Sequence, residues 1–384
     1  MTGSVTRRHW LAAAGLAVAA SCSRKKVSGY PGYALVTTGG ENSLTAIDLL
    51  SFQVSKVVDL GASPTAVVSS AGGARNYVLT PSNGTIHLFN VQIQKVASRQ
   101  VADQLSDILP MPGGKRLLAL AAGNKNQLLE VDAESLTVLR KHDIAAAPVS
   151  LDVAATGYAA VSTGKAGVVE LFNLATGQRS QTRFPGEIGT VRFRFDGRML
   201  LAANYQDRSL TALSLPDLQT IADLPLAMVP ENLCFSADNG GQLFISGAEM
   251  DGVAIVFPYQ ILEVEQTVLA GRTPGVMACS SAPPYLFVAS RDVSNISVLS
   301  VETRKTIGVV EVGEKPAFVA ITPDSHFALV LNEQSGDVAV IHIPSILSHK
   351  LTPGMALSTR VGPLFAVVPV GNRPVSASII PRIA

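Results

Sequence analysis

The chain has only three cysteines in 384 residues, and no two are spaced C-x-x-C. That excludes a C-x-x-C-H haem attachment and a thiolate metal knuckle. The histidines (His9, His87, His142, His326, His342, His349) are scattered, with no close pair on one strand face, so no metal site and no cofactor are predicted. Charged residues are only 15%, and 30 basic against 29 acidic side chains give a formal net charge of +1. No broad basic field exists for nucleic acid. Beyond residue 26 no segment sustains a 3.6-residue apolar period, and 32 glycines and 22 prolines interrupt the chain too often for helices of ordinary length.

What is present is a repeat. An apolar segment ends on a marker residue at Asp48, Asn90, Asp132, Asn173, Ser214, Phe257, Ser300 and His342, in steps of 42, 42, 41, 41, 43, 43 and 42. Short alternating strands at that period predict an all-β chain, a β-propeller of four-stranded blades around a channel. The seventh unit reads strand by strand as Tyr285–Ser290, Ile296–Ser300 and Thr306–Val312, with a fourth strand from Ala317 to Thr322 ending in the turn Pro323-Asp324-Ser325. The punctuation G-x-x-P before that fourth strand (Gly313–Pro316) recurs at Gly61–Pro64, Gly271–Pro274 and Gly371–Pro374. Glycine permits the bend, and proline is tolerated at the first residue of a strand.

Eight blades are counted, with seven as the alternative should one unit be degenerate. The chain opens on three outer strands (Tyr33–Thr37, Leu44–Asp48, Val54–Leu60) and closes on an inner one, Val375–Ile380. Ring closure is therefore expected where the N-terminal strands pair with the C-terminal strand, which removes the open edges. His349–Thr359 is read as an insertion between the second and third strands of the last unit, which makes that unit the weak point of the count. The apolar fraction of 47% suits sheets stacked face to face, and residues 27–384 read as a single domain.

Residues 1–26 read as an export signal and tether. Thr6-Arg7-Arg8-His9-Trp10-Leu11 resembles the twin-arginine pattern, with Trp10 in the usual Phe position and Ala12 where Lys is common. The apolar run Leu11–Ala20 is too short for a membrane span. Ala19-Ala20-Ser21-Cys22 resembles a lipobox, though Leu is usual at the position of Ala19, and it marks Cys22 for lipidation. The membrane would then be met only through that anchor, in the periplasm or outer envelope; simple cleavage is the alternative.

Two sites draw attention within the ring. Four positions beyond each inner-strand opening the units carry Val68, Leu109, Asp152, Arg192, Cys234, Ala278, Ala320 and Ser378. Asp152 and Arg192 are the charged exceptions, on neighbouring blades. Arg192 and Arg194 alternate with Val191, Phe193 and Phe195, so both are predicted on one face of an inner strand, either as an anion point in the channel or with Arg192 paired to Asp152. Cys234 and Cys279 have opposite strand parity on adjacent inner strands, which turns both toward one seam. Free thiols are expected there in preference to a disulfide, whose geometry is demanding.

The second site is the ring face that gathers the loops entering the inner strands and those between the next two strands. It collects Glu187, Glu231, Arg272, Lys315 and Arg373 with Asn124, Asn204, Asp207, Arg291 and Asn332. As a set these mark where a protein partner or a small polar ligand would sit.

Tyr77-Val78-Leu79-Thr80, Phe287-Val288-Ala289-Ser290 and above all Val310–Ser325 (VEVGEKPAFVAITPDS) resemble the repeats of YVTN-type β-propellers. The resemblance covers residues 33–384, strongest in units one, seven and eight and weak in units three to six. It implies a secreted or cell-surface propeller and names an architecture more than an activity. The expected function is a non-catalytic binding module on the envelope. One alternative is a hydrolase resembling the propeller lactonases, drawing on Glu187, Glu231, Arg272 and Arg373. A redox propeller holding a cofactor is the other.

Overall fold

The computed structural model describes residues 29–260, 262–348 and 363–382. The export signal, Cys22 and the insertion at His349–Thr359 lie outside the described residues. Within them the strands form eight four-stranded antiparallel sheets, so the count of eight holds and seven is set aside. Seven sheets are built from consecutive strands. The first takes β1 (Gly32–Thr38), β2 (Ser43–Asp48) and β3 (Gln53–Asp59) from the start of the chain and its innermost strand, β32 (Pro374–Pro381), from the end. Tyr33 faces Ile380 and Leu35 faces Ser378 across that junction. The inner strands β4 (Ala66–Ser69), β8 (Leu105–Pro110), β12 (Ser150–Val153), β16 (Ile188–Phe193), β20 (Asn232–Phe235), β24 (Pro274–Cys279), β28 (Pro316–Ile321) and β32 each touch the next around the ring.

Burial explains the sequence pattern. Second strands such as β9 (Arg116–Ala121) and β25 (Tyr285–Ser290) lie between two neighbouring blades, so both of their faces are covered and they read as unbroken apolar runs. Outer strands such as β3 and β7 (Lys95–Gln100) are largely exposed and polar.

Where the marker residue of the repeat is Asp or Asn, it has a physical role at the end of the third strand. Asp48 Oδ1 accepts the Leu50 N–H at 2.8 Å, and Asp132 Oδ1 accepts Glu134 and Ser135 N–H at 3.1 and 2.8 Å. Asn173 Oδ1 accepts Ala175 and Thr176 N–H, both at 3.1 Å. These are Asx turns, which stop the strand and start the return. A left-handed residue then closes the loop in several blades, as Phe52 (φ 53°), Leu136 (φ 55°), Gly177 (φ 78°) and Leu218 (φ 53°) show. Past it, a register shift appears in outer pairs such as Ala46/Ile47, Glu130/Val131 and Val298/Leu299, which adds twist where the blade meets solvent.

Candidate functional site

The inner strands leave one hydrogen-bonding edge toward the neighbouring blade, and side chains of the preceding blade cover it. Ser150 Oγ accepts the Val191 N–H at 3.3 Å and Asp152 Oδ2 accepts the Phe193 N–H at 2.7 Å. Ser376 Oγ does the same for Val67 at 3.2 Å. Asp152 is thus a backbone cap. The ion pair expected between Asp152 and Arg192 is not a contact here, because Arg192 Nη1 donates instead to the Val191 carbonyl of its own strand at 2.9 Å. Arg192 still acts at a distance. Burial pushes the carboxyls of both Asp152 and Asp107 above the usual range, and the Arg192 charge opposes that rise in each.

Arg194 is not beside Arg192 in the channel. Strand β16 ends at Phe193, so Arg194 falls in the following turn at the opposite ring face. There it binds Asp196 at 2.7 Å and the Pro258 carbonyl at 3.0 Å, and it stacks 4.7 Å from the Tyr259 ring centroid. The Asp196 carboxyl is held below its usual range by the Arg194 hydrogen bond.

Above Arg192 the inner strands enclose a cavity of about 240 Å³. Thr190, Arg192, Glu231 and Asn232 line one side, and Val276, Met277 and Phe318 line the other. The Asn232 side-chain nitrogen is buried without a hydrogen-bond partner, a cost of roughly 1–3 kcal/mol for a donor that nothing accepts from. Thr190 donates to the Glu231 carbonyl at 2.9 Å, which fixes the strand entrance. A larger hollow, bordered by Ser70, Arg75, Gly113–Lys115 and Asp132–Glu134, opens on the opposite face and has no unpartnered buried donor.

The loop face sorts into two clusters. Glu231 pairs with Arg291 of the next blade. Glu333 gathers both Lys315, at 2.8 Å, and Arg373, at 3.4 Å, and these contacts, led by the Lys315 hydrogen bond, hold its carboxyl below the usual range. Lys315 and Arg373 have φ of 56° and 59°, left-handed although each precedes a proline. That conformation is costly for such residues. Asn332 donates to Asp337 at 2.6 Å while its Oδ1 stays buried and unpartnered. Glu187 contributes its carbonyl to the Tyr205 N–H at 2.8 Å. Arg272 is exposed and has no charged partner among the described residues. Among the described residues no three His, Cys, Asp or Glu side chains gather as metal ligands.

Asp107, Asn232 and Glu333 were not legible as site residues from the sequence. Asp107 lies just past a register shift in β8, between Leu105 and Asp107, which moves its side chain out of the counted ring. Glu333 sits mid-loop, where no period places it.

These features define an eight-bladed β-propeller. No family model matches the chain, and no curated protein matches it in sequence. Solved structures match in fold. A dihydro-heme d1 dehydrogenase, NirN, superposes with a TM-score of 0.76 at 15% identity, over 93% of this chain and 77% of its own. Apo AztD from Citrobacter koseri gives 0.63 at 10% identity, over 90% and 97%. The C-terminal WD40 domain of Sif2 gives 0.64 at 12% identity, over 79% and 86%. At such identities the likeness shows the propeller fold alone.

Proposed function

We propose that this protein is an exported, envelope-anchored, non-catalytic propeller that binds a small polar ligand, a carboxylate, at the mouth of its channel. The observation that carries this reading is the cavity lined by both Arg192 and Asn232, whose buried side-chain nitrogen has no partner, together with Val276, Met277 and Phe318. Two sets of N–H donors call for an anionic acceptor, and the facing apolar wall suits a short hydrocarbon part. At about 240 Å³ the space suits a molecule of few heavy atoms. Arg291 occupies Glu231, which speaks against Glu231 as the free base a hydrolase would need. The anchor belongs to the same proposal: the exported protein would begin at an acylated Cys22, which intact mass reads directly.

The test is calorimetry of the purified protein against small monocarboxylates, dicarboxylates and their neutral amides. Carboxylates should bind and amides should not. Arg192→Met should still fold and melt cooperatively, since Arg192 makes no contact ion pair, yet weaken binding roughly 10- to 100-fold, the worth of a charged hydrogen bond. Equal binding by wild type and Arg192→Met, or binding of amides alone, would overturn the assignment.

A further inference from the structure

Cys234 and Cys279 lie on the inner strands of adjacent blades, β20 and β24. Ser236 and Ser280 occupy equivalent places just beyond these strands: Ser236 Oγ accepts the Gln242 N–H at 2.9 Å and Ser280 Oγ accepts the Tyr285 N–H at 3.2 Å. Cys234 is two residues before its serine and Cys279 one before, so the two side chains leave their strands on opposite faces. Adjacent blades stack face to face, and those opposite faces meet. Both thiols pack against the same apolar seam, formed by Phe244, Val253, Leu286 and Val288 among others. The sulfurs are 3.9 Å apart, near van der Waals contact, and both residues are half-buried free thiols.

We propose that Cys234 and Cys279 are a dithiol site that closes to a disulfide across this seam when the protein meets a disulfide donor. Closing the gap to a bond of about 2.05 Å asks for side-chain rotation and a small approach of two strands that already touch. Cys234 lines the channel cavity and is the sulfur within reach of a small reagent. Its thiolate attacks the donor disulfide, forming a mixed disulfide and releasing one donor thiolate. Cys279 then loses its proton and attacks the Cys234 sulfur, expelling the second donor thiolate. Two protein thiols are oxidised, their two protons pass to the released donor thiolates, and one donor disulfide is thereby reduced to two thiols. Cys279 does not line the cavity, so the mixed disulfide forms on Cys234 and precedes the bridge.

Occurrence in the cell rests on the export reading above, because an envelope compartment supplies such donors and the cytoplasm does not. The chemistry does not depend on that reading or on any ligand. The full-length protein, purified with its thiols reduced, is incubated with excess oxidised glutathione, denatured, treated with N-ethylmaleimide and mapped by peptide mass. The expected product is one linked peptide pair holding Cys234 and Cys279, with neither residue alkylated and reversal by dithiothreitol. A rise of several degrees in melting temperature should accompany it, since the bridge restrains the unfolded chain. In Cys279→Ser, Cys234 should retain one glutathione that no neighbour displaces. Alkylation of both cysteines in the oxidised wild type, or glutathione persisting on Cys234 there, would overturn the proposal. An unmodified Cys234 in Cys279→Ser would overturn its place as the point of attack.

Discussion

A chain ended after Gly371 is expected to yield no folded monomer. The truncation removes β32, the one strand that comes from the far end of the sequence, and with it the pairing from Gly32 opposite Pro381 to Thr38 opposite Pro374. Strand β1 is buried along almost its whole length, so its edge would open onto apolar side chains such as Leu35 and Val36. Neighbouring blades lose partners as well, because Ser376 Oγ caps the Val67 N–H and Ser378 Oγ meets Ser69 Oγ at 2.6 Å. The loss is of the order of the roughly 5–15 kcal/mol that separates a folded domain from its unfolded chain. Size exclusion and circular dichroism should show aggregate in place of a monomer, since an open buried edge invites pairing with another chain. A permutant that carries residues 372–382 ahead of Gly29 through a short linker should fold, because β32 and β1 are antiparallel neighbours whose facing ends a hairpin can join. A soluble, cooperatively melting truncation would mean that the ring does not depend on this closure.

That dependence was readable from the chain, and the reason is local. Every blade needs a stop between its third and fourth strands, and in the first four blades an Asx turn supplies it, so markers such as Asp48, Asp132 and Asn173 announce the period. The closing strand follows from counting units. The channel was less legible, because assigning a side chain to a face requires an unbroken two-residue alternation. Register shifts at Leu105/Asp107 and Ile188/Val191 break it at the entrance of inner strands, so Asp107 escaped notice. Arg194 was misplaced for a related reason: alternation says nothing about where β16 stops. The two cysteines kept their relation because both are fixed by the serine-capped turn that follows them. Glu333 pairs with Lys315 inside its own blade but reaches Arg373 only where two blades meet, which no single repeat records.

Acid should destabilise the protein through His87 well before its surface carboxylates are neutralised. His87 lies on β6 (Thr85–Phe89), 3% exposed, with its ring nitrogens 3.2 Å from Thr80 Oγ1 and 3.0 Å from Ser98 Oγ. Burial, aided by the Lys95 charge, lowers its pKa from 6.5 to about 4. Between those values the unfolded chain binds a proton that the folded ring refuses, so stability falls as pH drops through that window and is fully present above it. From pH 7.5 to 4.5 this amounts to about 2–3 kcal/mol at most. His342, lowered by burial, works in the same direction. Asp107 and Asp152 work in the other, because a carboxyl raised by burial takes up its proton more readily in the folded state. Comparing wild type with His87→Gln cancels these common contributions. The variant should be about 1 kcal/mol less stable at pH 7.5, from a poorer fit to Thr80 and Ser98, yet lose about 2–3 kcal/mol less on acidification. Urea unfolding at the two pH values measures the difference, and parallel losses in the two proteins would remove His87 as the acid-sensitive group of the core.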